Sequence, residues 1–364
     1  MRIKAFLRKY AFRIIVFAVM IGFLIYFFLR LDFKGSYEVL KNASIMFLLL
    51  ALLFMLISAV VKAYRFYILL KPNNPNLRFS KFILPYLVGY GFSVLGPFKT
   101  GEVASVEINK RNLNIPRSSS FAALAFFRVV DVLVVLVFFI IALGITIPKI
   151  ILNTTDPELA SYIQYGTNVV FYLAIFGTII LIAILFFPPI GRFFIQIIAK
   201  ILKKIHLKAG KWVERVINPA LDEYYESLRF LYRRWFIATT VVLTTIIRWI
   251  LEFYSLKFTI IAFGSNINLI DAASVMSIAL LIGLLTFVPA GAGTGTITTE
   301  ILLIGLLINK NIADASILYQ ALIGIILTLL LAALASPFLK EKKIASSSEE
   351  NELTVQENEQ ESEI

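Results

Sequence analysis

The chain has 364 residues, 59% of them hydrophobic, with a mean hydropathy of +0.85. That composition lies outside the soluble globular range and fits a polytopic membrane protein. Cysteine is absent and His206 is the single histidine, which excludes disulfides and thiol chemistry and argues against histidine-built zinc or heme sites and a Ser-His-Asp triad; no cofactor is implied. Net charge is +12, but residues 344–364 hold seven Glu and no Lys or Arg, leaving +19 on residues 1–343. Cytoplasmic lysines of a membrane protein account for this excess more simply than nucleic acid does, and anionic lipid headgroups are the natural partner. Residues 1–343 therefore form the membrane domain, and 344–364 a polar, acidic, disordered tail.

In chain order, a basic start with five Lys/Arg in thirteen residues precedes an apolar run, Ile14–Leu29, with no small-residue cleavage site after it. It reads as an uncleaved first span. Further spans are expected at Ala43–Val61, Phe121–Leu143, Asn168–Phe187, Phe236–Phe263 and Ala313–Ser336, each near the ~20 apolar residues that a bilayer needs. Lys/Arg counts put the N-terminus, the region after span two (Lys62, Arg65, Lys71, Arg78, Lys81), the basic segment 188–235 and the C-terminus inside, in the cytoplasm of a cell whose plasma membrane the chain spans. Loops 144–167 and 264–271 lie outside. Within 188–235, Phe194, Ile198, Ile201 and Ile205 recur at helical spacing opposite lysines, which fits a helix on the inner leaflet or a helical linker packed on the bundle.

Two apolar stretches of about 17 residues, Phe79–Leu95 and Ala272–Val288, are short for spans, and each ends in a break. The first break is Gly96-Pro97-Phe98-Lys99-Thr100-Gly101-Glu102. The second is Val288-Pro289-Ala290-Gly291-Ala292-Gly293-Thr294-Gly295. Proline removes a donor and glycine admits non-helical dihedrals, and such chain survives at membrane depth only inside protein or beside a water-filled cavity. One break per half, entered from opposite sides, predicts an inverted repeat. The fold expected is an all-α polytopic membrane protein with about six full transmembrane helices and two Pro/Gly-broken elements, re-entrant hairpins or, with the same loop parity, full crossings by both arms.

Arg65 at the end of span two, the Gly96-Pro97…Gly101-Glu102 turn, Arg128-Val-Val-Asp131 and the Val288–Gly295 loop together resemble the transmembrane (flippase) region of lysylphosphatidylglycerol synthases and its stand-alone members. The likeness covers roughly residues 10–338. It departs from the family pattern at Ser105, where arginine is usual, at Phe127, where glutamate is common, and around Thr296, beyond which the first acid is Glu300. No aminoacyl-transferase domain fits in the chain. The resemblance implies lipid translocation.

Ionisable residues inside spans face cavities or partners. Arg128 and Asp131 share one helix face; they are either a lipid-phosphate contact with its orienting carboxylate or a structural ion pair. Arg248 and Glu252 repeat the theme at i,i+4, deeper in their span, and are read as cavity-lining. Glu102 holds loop amides, binds a proton or pairs with Arg65 or Arg128. Lys99 and Arg65 are candidates to meet a headgroup from the cytosol, whereas Lys62, Lys71 and Lys81 read as ordinary cytoplasmic-side lysines. Glu300 is a cavity candidate without a local partner, and His206 a surface residue. With Pro97, Gly101, Pro289, Gly291, Gly293 and Gly295, these are the expected lipid-binding residues.

The function expected is binding and flipping of an anionic or glycosylated lipid, not catalysis. The alternatives are a membrane-embedded transferase acting on a lipid-phosphate sugar, with Glu102 and Asp131 doing the chemistry, and an accessory subunit for a separate lipid-modifying enzyme.

Overall fold

The computed structural model describes residues 33–95, 101–205, 218–285 and 294–338. The first span, the tips of both breaks (with Pro97, Lys99, Pro289, Gly291 and Gly293), His206 and the acidic tail lie outside the described residues. Those described form twelve α-helices and no strand. They are α1 (Phe33–Lys41), α2 (Ile45–Leu70), α3 (Phe79–Leu95), α4 (Gly101–Leu113), α5 (Arg117–Asn153), α6 (Pro157–Phe186), α7 (Pro188–Ile205), α8 (Asn218–Tyr232), α9 (Trp235–Ala262), α10 (Leu269–Leu285), α11 (Thr294–Gly305) and α12 (Lys310–Ala335). Helices α2, α5, α6, α9 and α12 are long and apolar enough to cross a membrane.

Helix α9 matches its expected span to within a residue at each end, whereas α2, α5, α6 and α12 run longer than expected because hydropathy marks only the hydrocarbon-facing part. Helix α5 starts after Pro116 and continues to Asn153, 37 residues or about 55 Å at 1.5 Å per residue. The 17-residue α3 coincides with the expected Phe79–Leu95, while α10 begins three residues before its expected start at Ala272.

Helices α2 and α9 pack on each other as an antiparallel pair. Ser44 N donates to Ala262 O at one end (2.9 Å), and Arg65 reaches Thr245 toward the other. Between them Phe47 stacks on Phe258 and Phe54 on Tyr254, at 6.0 and 5.4 Å between ring centroids.

Each break joins two helices folded back on each other. A Cβ at Gly89 of α3 would lie 2.5 Å from Ser105 Cβ of α4, so only glycine permits this approach. Asn74 bonds Leu113 O where this hairpin opens, and Arg117, the first residue of α5, meets Glu107 there. In the second hairpin Gly295 of α11 backs onto Ala279 O of α10. Its open end is tied to the other end of α5: Thr146 and Lys149 bond Asp271, and Asn153 bonds Gly305 O. The two hairpins thus open toward opposite ends of one helix.

Each hairpin's first arm also packs on the closing helix of the other half, α3 on α12 and α10 on α5. The repeat has a measurable register. Ile45 and Trp235 are 190 residues apart, as are Phe79 and Leu269; Gly101 and Thr294 are 193 apart, as are Arg117 and Lys310. The added three residues fall in the second break.

The described residues of the basic segment form two helices rather than one. Phe193 and Phe194 of α7 are exposed. Tyr224 and Tyr225 of α8 donate to Leu185 O and Ile184 O in the last turn of α6, and Arg192 of α7 pairs with Asp222 of α8.

Candidate functional site: a buried charge network between the halves

Six ionisable side chains meet where α2, α5 and α9 touch. Arg65 has no exposed surface; its guanidinium forms a bidentate pair with Asp131 (2.8 and 3.1 Å) and lies 3.4 Å from the Phe127 ring centre. Bidentate geometry and stacking are what a planar guanidinium does and a lysine cannot. Arg248 reaches Asp131 at 3.4 Å, grips Glu252 at 2.8 and 3.0 Å, and stacks on Trp249 at 3.8 Å. Glu252 also accepts from Ser58 (3.0 Å) and pairs with Lys62 (2.7 Å), which donates to Tyr90 at 3.3 Å. Arg128 lies within electrostatic reach of Asp131, Arg248 and Arg65.

Desolvated charges persist only when paired, and removing one partner strands the other. Here Lys62, Arg65 and Arg248 are paired with Asp131 and Glu252, and Arg128 lies beside them. Donors are in surplus: Arg65 Nε, Arg248 Nε and Trp249 Nε1 are buried without an acceptor among the described residues. The arrangement suits an incoming anion. Beside the network is a cavity of about 370 Å³ between α2, α3, α9, α10 and α12, whose polar wall includes Lys62, Tyr90, Glu252, Ser255 and Gln320.

The structure redistributes the residues singled out in the sequence. Arg65 does not face the cytosol; it is sealed in the core on Asp131. Asp131 takes its direct ion pairs from two other helices, through Arg65 and Arg248. Arg248 and Glu252 do pair along their own helix. Gly101 and Glu102 open α4, with the Glu102 side chain outside the described residues. Glu300 does have a partner: it is buried, and Lys310 Nζ of the next helix is 3.8 Å away. Lys62, read as an ordinary surface lysine, belongs to the network, as do Ser58 and Thr245. One signal in the sequence marks Lys62: at the 190-residue register its counterpart is Glu252, the residue that it binds.

The family profile described as the lysylphosphatidylglycerol synthase TM region matches residues 11–336. A UPF0104 membrane protein of Pyrococcus horikoshii is 24% identical over 336 residues, covering 86% of this chain and 93% of the relative. Another, from Methanocaldococcus jannaschii, is 22% identical over 311 residues, covering 84% and 88%. With five apolar spans, paired broken helices and a profile match over nearly its whole length, the chain belongs to the family of lysylphosphatidylglycerol synthase transmembrane regions, as a multi-pass membrane protein.

Proposed function

We propose that the protein binds a lipid with an anionic headgroup and carries it across the cell membrane, with both chain termini in the cytoplasm. The observation that carries this reading is a buried network of guanidiniums and carboxylates between two inverted halves, with guanidinium and indole donors that have no acceptor among the described residues. Inverted-repeat carriers bind at the repeat interface and expose the site alternately to either side. The headgroup phosphate meets Arg128 and Arg248, while Arg65 and Asp131 hold the scaffold. Helix starts beside the two breaks, Gly101 and Thr294, add backbone donors of the kind that hold anions. The carrier performs no chemistry on the lipid: Asp131, one of the two carboxylates that a transferase would use, is clamped by two guanidiniums. The orientation rests on the Lys/Arg bias of the loops.

The test is translocation of labelled lipids in proteoliposomes. Wild-type protein is expected to move an anionic lipid faster than empty liposomes do, and Arg128→Ala and Arg248→Ala to lose most of that rate. Wild-type rates equal to those of empty liposomes across a panel of anionic and glycosylated lipids would remove the proposal.

A further inference from the structure

The cavity beside the network is the second half's version of a space that the first half fills. The register makes Ser255 the counterpart of Arg65, Gln320 of Phe127 and Gly324 of Asp131. In the first half the Arg65 guanidinium lies over Phe127 and binds Asp131. In the second, Gln320 Nε2 donates to Ser255 Oγ at 3.0 Å, the same pair of positions in contact. Where the carboxylate would stand there is Gly324. Ser255, Gln320 and Gly324 all line the cavity.

Close packing does not demand that glycine. A Cβ there would meet only Met55 Cε, at 3.5 Å, an ordinary contact. A glycine inside a helix destabilises it relative to alanine, so what the residue supplies is room.

The wall has a definite chemistry. Gln320 uses both amide hydrogens on Ser255 and Thr259 and leaves its carbonyl oxygen as an acceptor. Ser255 accepts from Gln320 and retains a hydroxyl proton to give. Thr328 donates to Gly324 O and retains its lone pairs. Lys62 uses two of its three donors, on Glu252 and Tyr90, and Glu252 already accepts from Ser58, Lys62 and Arg248. The cavity thus offers donors and acceptors side by side around a charge pair that is already matched. A bare ion cannot use both kinds, but a hydroxyl both donates and accepts. A volume of about 370 Å³ corresponds to about a dozen waters at ~30 Å³ each, room for one sugar ring.

We propose that this cavity binds the sugar of a glycosylated lipid, in contact with Lys62, Ser255, Gln320 and Thr328. The proposal rests on the lipid-carrier reading and narrows its substrate. The test uses full-length protein purified in a sugar-free detergent and placed in phosphatidylcholine nanodiscs. These are doped with monoglucosyl-diacylglycerol, diacylglycerol or phosphatidic acid, and retained lipid is quantified by native mass spectrometry. Wild-type protein is expected to retain the glucosyl lipid about tenfold over diacylglycerol, the worth of one or two hydrogen bonds. Gly324→Leu, which fills the space, and Gln320→Leu, which removes its acceptor, are each expected to abolish that preference while phosphatidic acid retention changes less than about twofold. Circular dichroism identifies folded variants, and Gln320→Leu decides if Gly324→Leu does not fold. Equal wild-type retention of glucosyl lipid and diacylglycerol, or an undiminished preference in the folded variants, overturns the sugar site. Phosphatidic acid retained in that case leaves the carrier reading standing; its loss as well takes the carrier reading down too.

Discussion

Glu107 and Glu300 hold the same place in the two halves. Each lies six residues into the return arm of its hairpin and ten before the base that opens the next helix, Arg117 or Lys310. The repeat fixes the pairing; the surroundings set its worth. At one mouth the pair is close, 2.8 Å, and wet, its side chains 35% and 59% exposed. At the other the partners stand 3.8 Å apart and Glu300 is 4% exposed. Distance alone ranks the first pair higher; burial reverses the order, because water screens a surface pair and a buried carboxylate has no such substitute.

The sharpest check is at the buried extreme of this scale. Asp131→Ala strands Arg65, and unfolding in mixed detergent is expected to report a loss of about 3–5 kcal/mol. A loss near that of a surface pair would break the burial argument. Glu300→Ala is expected to be intermediate, about 1–3 kcal/mol, and indifferent to salt. Lys310 is left with Asp314, 2.7 Å away, so no cation is orphaned. Glu107→Gln is expected to lie within about 0–1 kcal/mol, shrinking further at high salt; a larger effect than that of Glu300→Ala would invert the comparison.

The smallest effect is one of pH. Hydrogen bonds from Arg117 and Arg111 hold the Glu107 carboxyl at about 2, below its ordinary 4.5. A depressed carboxyl stabilises the fold above its ordinary value, and that contribution fades as pH falls from about 4.5 toward about 2. An NMR titration of labelled Glu107 checks the midpoint. The stability difference between wild type and Glu107→Gln is expected to close over the same window.

What was legible in the sequence follows the range of each interaction. Phe79–Leu95 was readable to the residue because an apolar run ends in a local Gly-Pro signal. Arg248 and Glu252 were readable as a pair because a helix brings i and i+4 together. Arg65 and Asp131 are 66 residues apart, and their meeting depends on which faces of α2 and α5 pack. Periodicity cannot decide that in helices apolar nearly all round. Lys62 was misjudged for the same reason: its position near a span's end fits a surface lysine until Glu252 on α9 is brought opposite. The ten-residue step from Glu107 to Arg117, repeated from Glu300 to Lys310, lay open in the sequence but gains meaning only once the register of the halves is known.

The spacing of the network along the chain also gives it a history. Of the three groups joined at Arg65, Arg65 is synthesised first, Asp131 follows 66 residues later, and Thr245 follows Arg65 by 180. At ~5–20 residues per second, Arg65 waits about 3–13 s for its carboxylate and about 9–36 s for α9. A guanidinium in a span is costly while it waits. The first half must therefore secure its own neutral pair before the second half exists, and Arg65 with Asp131 is such a pair. Arg248 and Glu252, four residues apart, arrive already matched. The newborn chain can thus form these two pairs, one within each half, while the Lys62–Glu252 contact has to wait for the halves to meet.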